Sequence, residues 1–225
     1  MKIAIDGPGG AGKSTLSKRL AAQFGFVYID TGAMYRAAGL LCLRRGLSIR
    51  KQQEEAAALV SAASIDLRVT DGAQHIFLNG EDVTDCIRTP EVSMAELSSP
   101  ASNVSAIPAV RLHLVDLQRK LAETRDVIMD GRDIGTYVLP DAPIKIFLTA
   151  SPEVRAQRRY LELKERGKPC DFDTVLAELK ERDTNDSTRA FAPLKPAEDS
   201  ILVDTSALTF DESLAHLAAI IKERL

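Results

Sequence analysis

Tryptophan is absent from this sequence of 225 residues, and cysteine and histidine each occur only three times. Cys42, Cys86 and Cys170 are far apart and form no C-x-x-C pair, a pattern that argues against both a disulfide framework and a cysteine-based zinc site. Such cysteine usage is typical of a reducing compartment, so we expect a cytoplasmic protein. The three histidines are isolated in the sequence, and we expect them on the surface or on helix faces rather than in catalysis.

Neither sign of charge dominates, since 29 basic side chains stand against 32 acidic ones, a net charge of -3. A general nucleic-acid-binding protein normally has a strong basic surplus, so we expect no nucleic-acid partner. No apolar run is long enough to span a membrane, and the run at 3–5 is too short for a signal peptide. We therefore expect no membrane association, and the lack of an obvious exposed apolar stripe favours a monomer.

A glycine-rich segment at 7–15 follows the apolar run at 3–5 and precedes a helical pattern at 16–24. It fits G-x-x-x-x-G-K-[ST], the phosphate-binding loop or P-loop. Small residues let consecutive backbone N–H groups surround a phosphate chain, and the following helix directs its positive dipole end at the same anion. The residues expected to bind ATP are Gly7, Pro8, Gly9, Gly10, Ala11, Gly12, Lys13, Ser14 and Thr15.

An aspartate ends the apolar run at 127–130, where a P-loop protein is expected to have its second metal-associated carboxylate. We therefore expect Ser14 to offer its hydroxyl to Mg²⁺ and Asp130 to hold the ion indirectly, through water. Lys13 would reach the β- and γ-phosphates of the nucleotide.

Five short apolar runs, at 3–5, 26–29, 127–130, 144–148 and 201–203, alternate with helical patterns. This alternation predicts an α/β fold with a five-stranded, parallel, doubly wound P-loop core. Between the second and third runs the apolar period changes to two, and turn signals occur at 71–72 and 79–80. These features predict a small antiparallel β insert, followed by helices at 90–97 and 108–123.

Arginines follow several of the predicted strands. Arg36 and Arg132 lie just beyond two strand ends, where ligands collect in doubly wound sheets. Further arginines, at 155, 158, 159, 182 and 189, lie on the helices after the fourth strand. Because two polyanions repel each other, a kinase of a small acceptor needs cations from several segments. A GTPase is not indicated, since no N-K-x-D segment is present.

Two alternatives remain open on this evidence. A P-loop kinase of a hydroxyl acceptor, of the shikimate or dephospho-coenzyme A type, would need a carboxylate near that hydroxyl, for which Asp30 or Asp133 could serve. A regulatory protein would bind the nucleotide without catalysis.

Several segments together resemble the bacterial cytidylate kinases, P-loop enzymes that phosphorylate CMP and dCMP with ATP. They are I-D-G-P at 5–8, D-T-G-A-M-Y-R at 30–36, I-R-T at 87–89, I-P-A-V-R at 107–111, D-G-R-D-I-G-T at 130–136 and E-R-D at 181–183. The resemblance spans essentially the whole chain, with residues 95–100 as an apparent insertion. It implies one kinase domain with a core (about 1–60, 124–150 and 190–225), a monophosphate-binding insert (about 61–123) and a lid region (about 151–189).

The resemblance also implies roles for individual residues. Ser102, Arg111 and Asp133 would recognise cytosine, and Arg36, Arg132 and Arg189 would hold the acceptor phosphate. Asp186, oriented by Arg182, would meet the sugar hydroxyls, and Thr31 and Tyr35 complete the substrate-binding set. Lys13, Arg132, Arg155 and Arg159 would act in catalysis, the last two from the lid, with Arg158 as a further lid residue.

Replacement of the P-loop lysine tests this interpretation. We expect Lys13→Ala to abolish nearly all phosphoryl transfer while leaving the fold intact, because the change removes a cation that faces the transferring phosphate. Steady-state ADP formation and circular dichroism measure the two properties. A turnover rate like that of the unmodified protein would contradict the P-loop role.

Overall fold

The structure is a computed structural model that describes residues 1–70, 73–87 and 94–225. The elements in chain order are β1 (Lys2–Asp6), α1 (Lys13–Phe24), β2 (Val27–Asp30), α2 (Thr31–Arg44), α3 (Gln53–Ser61), β3 (Ile65–Thr70), β4 (Ala73–Leu78), β5 (Glu81–Asp82), α4 (Met94–Ser105), α5 (Pro108–Glu123), β6 (Val127–Gly131), a π-helix (Ile134–Val138), β7 (Ile144–Thr149), α6 (Pro152–Glu165), α7 (Phe172–Thr188), β8 (Ile201–Asp204) and α8 (Phe210–Lys222).

A five-stranded sheet has the order β2-β6-β1-β7-β8. Strand β1 runs parallel to both neighbours, and Ile3 lies opposite Ile128 of β6 and Ile144 of β7. Apolar residues on both faces suit a strand that is covered on both sides, as parallel strands are. The predicted parallel, doubly wound core is confirmed. Because β1 is the central strand, the loop that follows it opens at the middle of the sheet's carboxyl edge, where ligands bind in such folds.

The described chain forms two compact units, Met1–Tyr28 with Arg125–Leu225, and Ile29–Thr124. In the first unit, Ile3 and Ile146 of the sheet form one core with Leu20 of α1 and Leu217 of α8. Helices α2 and α3 belong to the second unit together with the antiparallel strands. The division into core, insert and lid stays a prediction.

The second unit contains the predicted antiparallel sheet, in the order β3-β4-β5. Ile65 pairs with Leu78 and Leu67 with Ile76, and all four side chains are buried, as the alternating pattern predicts. The turn predicted at 71–72 lies outside the described residues, as do the start of the helix predicted at 90–97 and residues 88–89 of the I-R-T segment.

Helix α4 is longer than the helix predicted there, since it continues through Pro100 to Ser105. A proline inside a helix costs a hydrogen bond and usually ends the helix. Here α4 packs closely on α2, where a Cβ added to Gly39 would lie 3.1 Å from the Ala101 nitrogen. This close packing lets tertiary contacts outweigh the local cost of the proline.

Side-chain caps begin two helices of the first unit. The Ser151 side chain accepts from the Val154 N–H at the start of α6, and Thr209 and Glu212 form a capping box at the start of α8. Helix α7 continues to Thr188. The π-helix after β6 was not predicted. Within the described residues, no helix is both long and apolar enough to cross a membrane.

Gly7 follows β1 with a φ of 148°, and an added Cβ would lie 1.9 Å from the Leu148 carbonyl oxygen. We therefore expect Gly7→Ala to destabilise the protein by more than about 3 kcal/mol, because backbone atoms must move to admit the methyl group. Gly25 is the control: its φ of 71° is also positive, but nothing lies within 4 Å of an added Cβ. There Ala should cost about 1 kcal/mol. Urea denaturation measures both changes, and equal losses would contradict the role of the close contact.

Candidate active site

The P-loop connects β1 to α1, and Gly12 is the N-cap of that helix with no side-chain cap hydrogen bond. The first N–H groups of a helix need external acceptors, and an anion at this end also meets the positive end of the helix dipole. A Cβ added to Gly9 would lie 3.7 Å from guanidinium nitrogens of both Arg132 and Arg182. Backbone donors and arginines thus lie at the same loop, an arrangement suited to a phosphate chain.

Lys13, the first residue of α1, is buried and donates from Nζ to the Pro8 carbonyl oxygen at 2.7 Å. Burial and the positive charges of Arg132 and Arg182 hold its pKa well below the ordinary lysine value, against the opposing charges of Asp130 and Asp6. A phosphate group would favour the charged form of Lys13, because an opposite charge offsets both burial and repulsion.

Asp130, the carboxylate predicted at the end of the third apolar run, is buried in β6. The Ser14 hydroxyl donates to its Oδ2 at 2.7 Å and the Tyr28 hydroxyl to its Oδ1 at 3.0 Å. A hydroxyl and a carboxylate side by side fit Mg²⁺, which prefers oxygen ligands and keeps several waters. The described residues contain no cluster of three or more histidine, cysteine, aspartate or glutamate side chains that could hold a metal ion.

Asp186 of α7 is the carboxylate around which three arginines gather. Arg132 donates from Nε to Asp186 Oδ2 at 2.9 Å, and the Arg182 Nε lies 4.0 Å from the same oxygen. Burial would raise the pKa of Asp186, but the charges of Arg132, Arg182 and Arg189 outweigh it and hold this pKa below the usual range. Asp186 therefore stays ionised and keeps Arg132 and Arg182 beside the P-loop.

Arg189 is the C-cap residue that follows α7, and its side chain is almost fully buried. Its Nη2 lies 3.8 Å from Asp133 Oδ1. Its Nε also donates to the Ala192 carbonyl oxygen at 2.7 Å. Asp133 itself is buried at the N-terminal end of the π-helix. The first unit thus brings together five of the predicted substrate-binding residues: Arg132, Asp133, Arg182, Asp186 and Arg189.

The predicted lid arginines have different surroundings. Arg155 is buried and donates to the carbonyl oxygens of Ala150 and Gly9, at 2.9 and 3.0 Å, and to Asp183 at 2.6 Å. These bonds tie α6 and α7 to the P-loop backbone. Arg159 instead pairs with Glu162 on its own helix. The Arg158 guanidinium donates to the Thr205 hydroxyl and carbonyl oxygens, beyond the end of β8.

In the second unit, Asp30 organises the start of α2. Its Oδ1 accepts from the Ala33 N–H, and its Oδ2 pairs with Arg36 at 2.6 Å. The Gln74 side chain of β4 accepts from the Asp30 N–H at 2.8 Å and donates to the Asp30 carbonyl oxygen at 3.3 Å. A buried amide therefore fixes the backbone of the residue that holds Arg36.

Tyr35 and Arg111, predicted from the family resemblance, lie against each other. The Arg111 guanidinium carbon is 5.2 Å from the centroid of the Tyr35 ring, and its Nη1 donates to the Ser105 carbonyl oxygen. Ser102 lies one turn earlier on α4, and its carbonyl oxygen accepts from the Ser105 hydroxyl. Thr31 is buried as the first residue of α2.

Comparisons with known proteins show the family to which this chain is related. The cytidylate kinase family model matches residues 3–223. The chain is 53% identical to a cytidylate kinase of Caldicellulosiruptor bescii over 95% of this chain and 92% of that relative. It is 50% identical to a cytidylate kinase of Mycobacterium leprae over 99% of this chain and 96% of that relative. The chain belongs to the cytidylate kinase family.

Membership of the cytidylate kinase family confirms the resemblance found in the sequence. The chain is a phosphotransferase of the nucleoside monophosphate kinase class, and its family implies ATP as phosphoryl donor and typically Mg²⁺. Neither alternative, a hydroxyl-acceptor kinase or a non-catalytic regulator, is supported by these relatives. A solved structure of an uncharacterized protein from Eubacterium ventriosum covers 100% of this chain and 99% of its own, with a TM-score of 0.52 and 14% identity. That likeness concerns the fold alone.

Three contributors to the site were not singled out from the sequence. Tyr28 and Gln74 bond to site aspartates, and Asp183 holds Arg155. Asp183 lies in the E-R-D segment at 181–183, but that segment does not indicate Arg155 as its partner. Gln74 carries a different signal, since it occupies an inward position of β4, on the same face as buried Ile76 and Leu78. A polar side chain on an apolar face needs a buried partner, but the sequence does not say which.

Asp6, the last residue of β1, gives a pH prediction. Burial raises the pKa of its carboxyl from 3.8 to about 7, with Asp133 adding to the shift while backbone hydrogen bonds and Lys13 oppose it. Because the folded pKa lies above the unfolded one, the stability contributed by protonated Asp6 is fully present below about pH 4 and is lost as the pH rises through about 7.

We therefore expect the free energy of unfolding, relative to that of Asp6→Asn, to fall by up to about 4 kcal/mol between pH 4 and pH 8. The asparagine variant does not titrate at this position and so provides the reference. Urea denaturation at a series of pH values measures the difference. A constant difference over this range would contradict the raised pKa.

Proposed function

We propose that this phosphotransferase moves the γ-phosphoryl group of ATP to CMP or dCMP, giving CDP or dCDP and ADP, in pyrimidine nucleotide metabolism. The observation that carries the proposal is the group of arginines held by Asp186 beside the P-loop, with Asp133 and Arg189 in the same unit. Two nucleotides that repel each other need such a concentration of positive charge between them.

The transfer needs no general base in this proposal. The attacking atom is a phosphate oxygen of the acceptor that is already ionised, so the residues act through alignment, charge neutralisation and exclusion of water. Lys13 and Arg132 face the transferring group. Arg155 and Arg159 belong to the lid, and the bonds of Arg155 to Gly9 and Asp183 suit it to hold the P-loop as the lid closes.

Mg²⁺ and ATP would be held by the P-loop side of the site. Ser14 would bind the ion directly and Asp130 through water, and residues 7–15 would surround the phosphates of ATP. When bound, Mg²⁺ would neutralise part of the negative charge on the phosphate oxygens. Tyr28 donates to Asp130 and would keep this carboxylate aimed at the metal's water shell.

Base selection is assigned to Asp133, with Ser102 and Arg111. Cytosine has an exocyclic amino group that a carboxylate can accept from, whereas uracil has a carbonyl oxygen at that position. A buried carboxylate facing that oxygen would lose its hydrogen bond, and this mismatch discriminates strongly. Arg189 Nη2 lies 3.8 Å from Asp133 Oδ1 and would help to hold this carboxylate in place.

The remaining acceptor contacts are assigned to the phosphate and the sugar. Arg36, Arg132 and Arg189 would bind the phosphate, and Asp186 with Arg182 would meet the sugar hydroxyls. In support, the Nε of Arg36 is buried and has no hydrogen-bond acceptor among the residues that the structure describes. A phosphate oxygen would satisfy it. Thr31 and Tyr35, on the same helix as Arg36, would contribute further contacts to the acceptor.

The protein that carries out this reaction is proposed to be a cytoplasmic monomer without nucleic-acid or membrane partners. Substrates of this class are small and diffusible, and the net charge of -3 offers no general attraction for polyanions.

A panel of acceptors tests the proposed function. ADP formation should depend on CMP or dCMP, be much weaker with UMP, and be undetectable with shikimate, gluconate or dephospho-coenzyme A. Omission of Mg²⁺ should abolish the signal. Turnover with a hydroxyl acceptor but not with CMP would overturn the proposal, as would ATP binding without any acceptor-dependent turnover.

The role of Asp133 generates a separate prediction. We expect Asp133→Ala to reduce the preference for CMP over UMP by about ten- to a hundredfold, the size of one buried hydrogen bond to a charged group. Asp133→Asn should shift the preference further towards UMP, since its amide can donate to the uracil carbonyl oxygen. The ratio of kcat/KM for the two acceptors is the measurement. An unchanged ratio in both variants would remove Asp133 from base recognition.

A further inference from the structure

Asp6 is a buried carboxylate that the proposed mechanism does not use. It ends the central strand β1, immediately before the P-loop, and is only 5% exposed. Its Oδ1 accepts from the Ile134 N–H at 2.8 Å, and its Oδ2 accepts from the Gly135 N–H at 2.7 Å. These are the first two residues of the π-helix, directly after Asp133.

The two hydrogen bonds fix the backbone on the C-terminal side of Asp133. The N–H of Ile134 belongs to the peptide group that contains the Asp133 carbonyl, so its bond to Asp6 sets the plane of that peptide. The second bond joins the Gly135 N–H to the other oxygen of Asp6. It restrains the rotation of this backbone segment that a single hydrogen bond would permit. An aspartate can accept both bonds with separate oxygens, whereas an asparagine has one acceptor oxygen and one donor nitrogen.

The surroundings leave this segment little room to shift. A Cβ added to Gly135 would lie 3.4 Å from Asp6 Oδ2 and 3.2 Å from the Cγ and Cδ atoms of Lys145 on β7. Lys145 is itself held by Asp199 at 2.7 Å. Gly135, whose N–H makes the second bond to Asp6, therefore lies close to both the Asp6 carboxyl group and the stem of Lys145.

We propose that Asp6 is a positioning residue for base selection, which places the Asp133 carboxylate through the two backbone N–H groups that follow it. The inference rests on the proposed function, in which Asp133 recognises cytosine. Asp6 does not touch the base. A carboxylate that must distinguish an amino group from a carbonyl oxygen has to be held within a fraction of an ångström, and Asp6 supplies this restraint from the rigid central strand.

The test is Asp6→Asn, assayed with CMP and UMP as acceptors. We expect the ratio of kcat/KM for CMP to that for UMP to fall about tenfold, the effect of one lost or misaligned hydrogen bond, while KM for ATP changes by less than about threefold. Ile128→Val is the matched control, because it removes a buried methyl group from β6, the strand leading to Asp133, without touching a polar contact. It should lower the melting temperature and leave the ratio unchanged.

A combined variant distinguishes positioning from a purely structural role. If Asp6 acts through Asp133, Asp6→Asn should produce no further change in the acceptor ratio when Asp133→Ala is already present. A lower melting temperature with an unchanged ratio in Asp6→Asn would overturn the proposal, and so would independent effects in the double variant. Should Asp6→Asn not fold, Asp6→Ser, which is smaller and also neutral, takes its place with the same expectation.

Amide hydrogen exchange separates failure of this inference from failure of the proposed function. The Ile134 and Gly135 amides should exchange slowly in the unmodified protein, and at least one should exchange faster in Asp6→Asn. If Asp133→Ala leaves the acceptor ratio unchanged while exchange responds as expected, base recognition by Asp133 fails. If the exchange of both amides is unaffected by Asp6→Asn, the positioning role of Asp6 is overturned.

Discussion

The concentration of positive charge at the P-loop is the constraint that determines how charged side chains are arranged in the first unit. Lys13, Arg132 and Arg182 lie close together in a partly dehydrated site, and their repulsion must be offset before any phosphate arrives. Asp130 and Asp186, buried carboxylates close to the cations, supply part of this offset, although the pKa of Lys13 stays well below the ordinary lysine value. Breaking such a pair leaves an uncompensated buried charge, which is costly. The carboxylates thus keep the cations in place for a triphosphate.

Buried side chains also restrain the main chain of this site. Arg155 binds the carbonyl of Gly9, and Asp6 binds the N–H groups after Asp133, so that the P-loop and the segment after β6 are each held by a buried side chain from another element. The Arg155 guanidinium donates to the Gly9 carbonyl oxygen, the Asp6 carboxyl oxygens accept from the Ile134 and Gly135 N–H groups, and hydrogen bonds of this kind are directional. They position the P-loop and the start of the π-helix.

The second unit uses a neutral group for a similar purpose. Gln74 binds both the N–H and the carbonyl of Asp30, and Asp30 in turn caps α2 and pairs with Arg36. An amide can satisfy a backbone donor and acceptor at once without adding charge. The antiparallel sheet therefore has a role beyond its own stability, because it orders the start of the helix that carries Arg36, Tyr35 and Thr31.

The P-loop, the five parallel strands, the antiparallel insert and the cytidylate kinase family were all determined by the sequence, because each depends on local patterns: glycine spacing, apolar period and a dense set of short motifs. Only the tertiary structure decided which side chains and backbone groups contact each other. Nothing in the sequence near Arg155 indicates that it pairs with Asp183. The sequence around Pro100 does not indicate that α4 continues through this proline. Asp6 is 128 residues away from Ile134, whose amide it binds. Such contacts form between elements that only the packed sheet and helices bring together, so their strength depends on burial and distance, which local patterns do not contain.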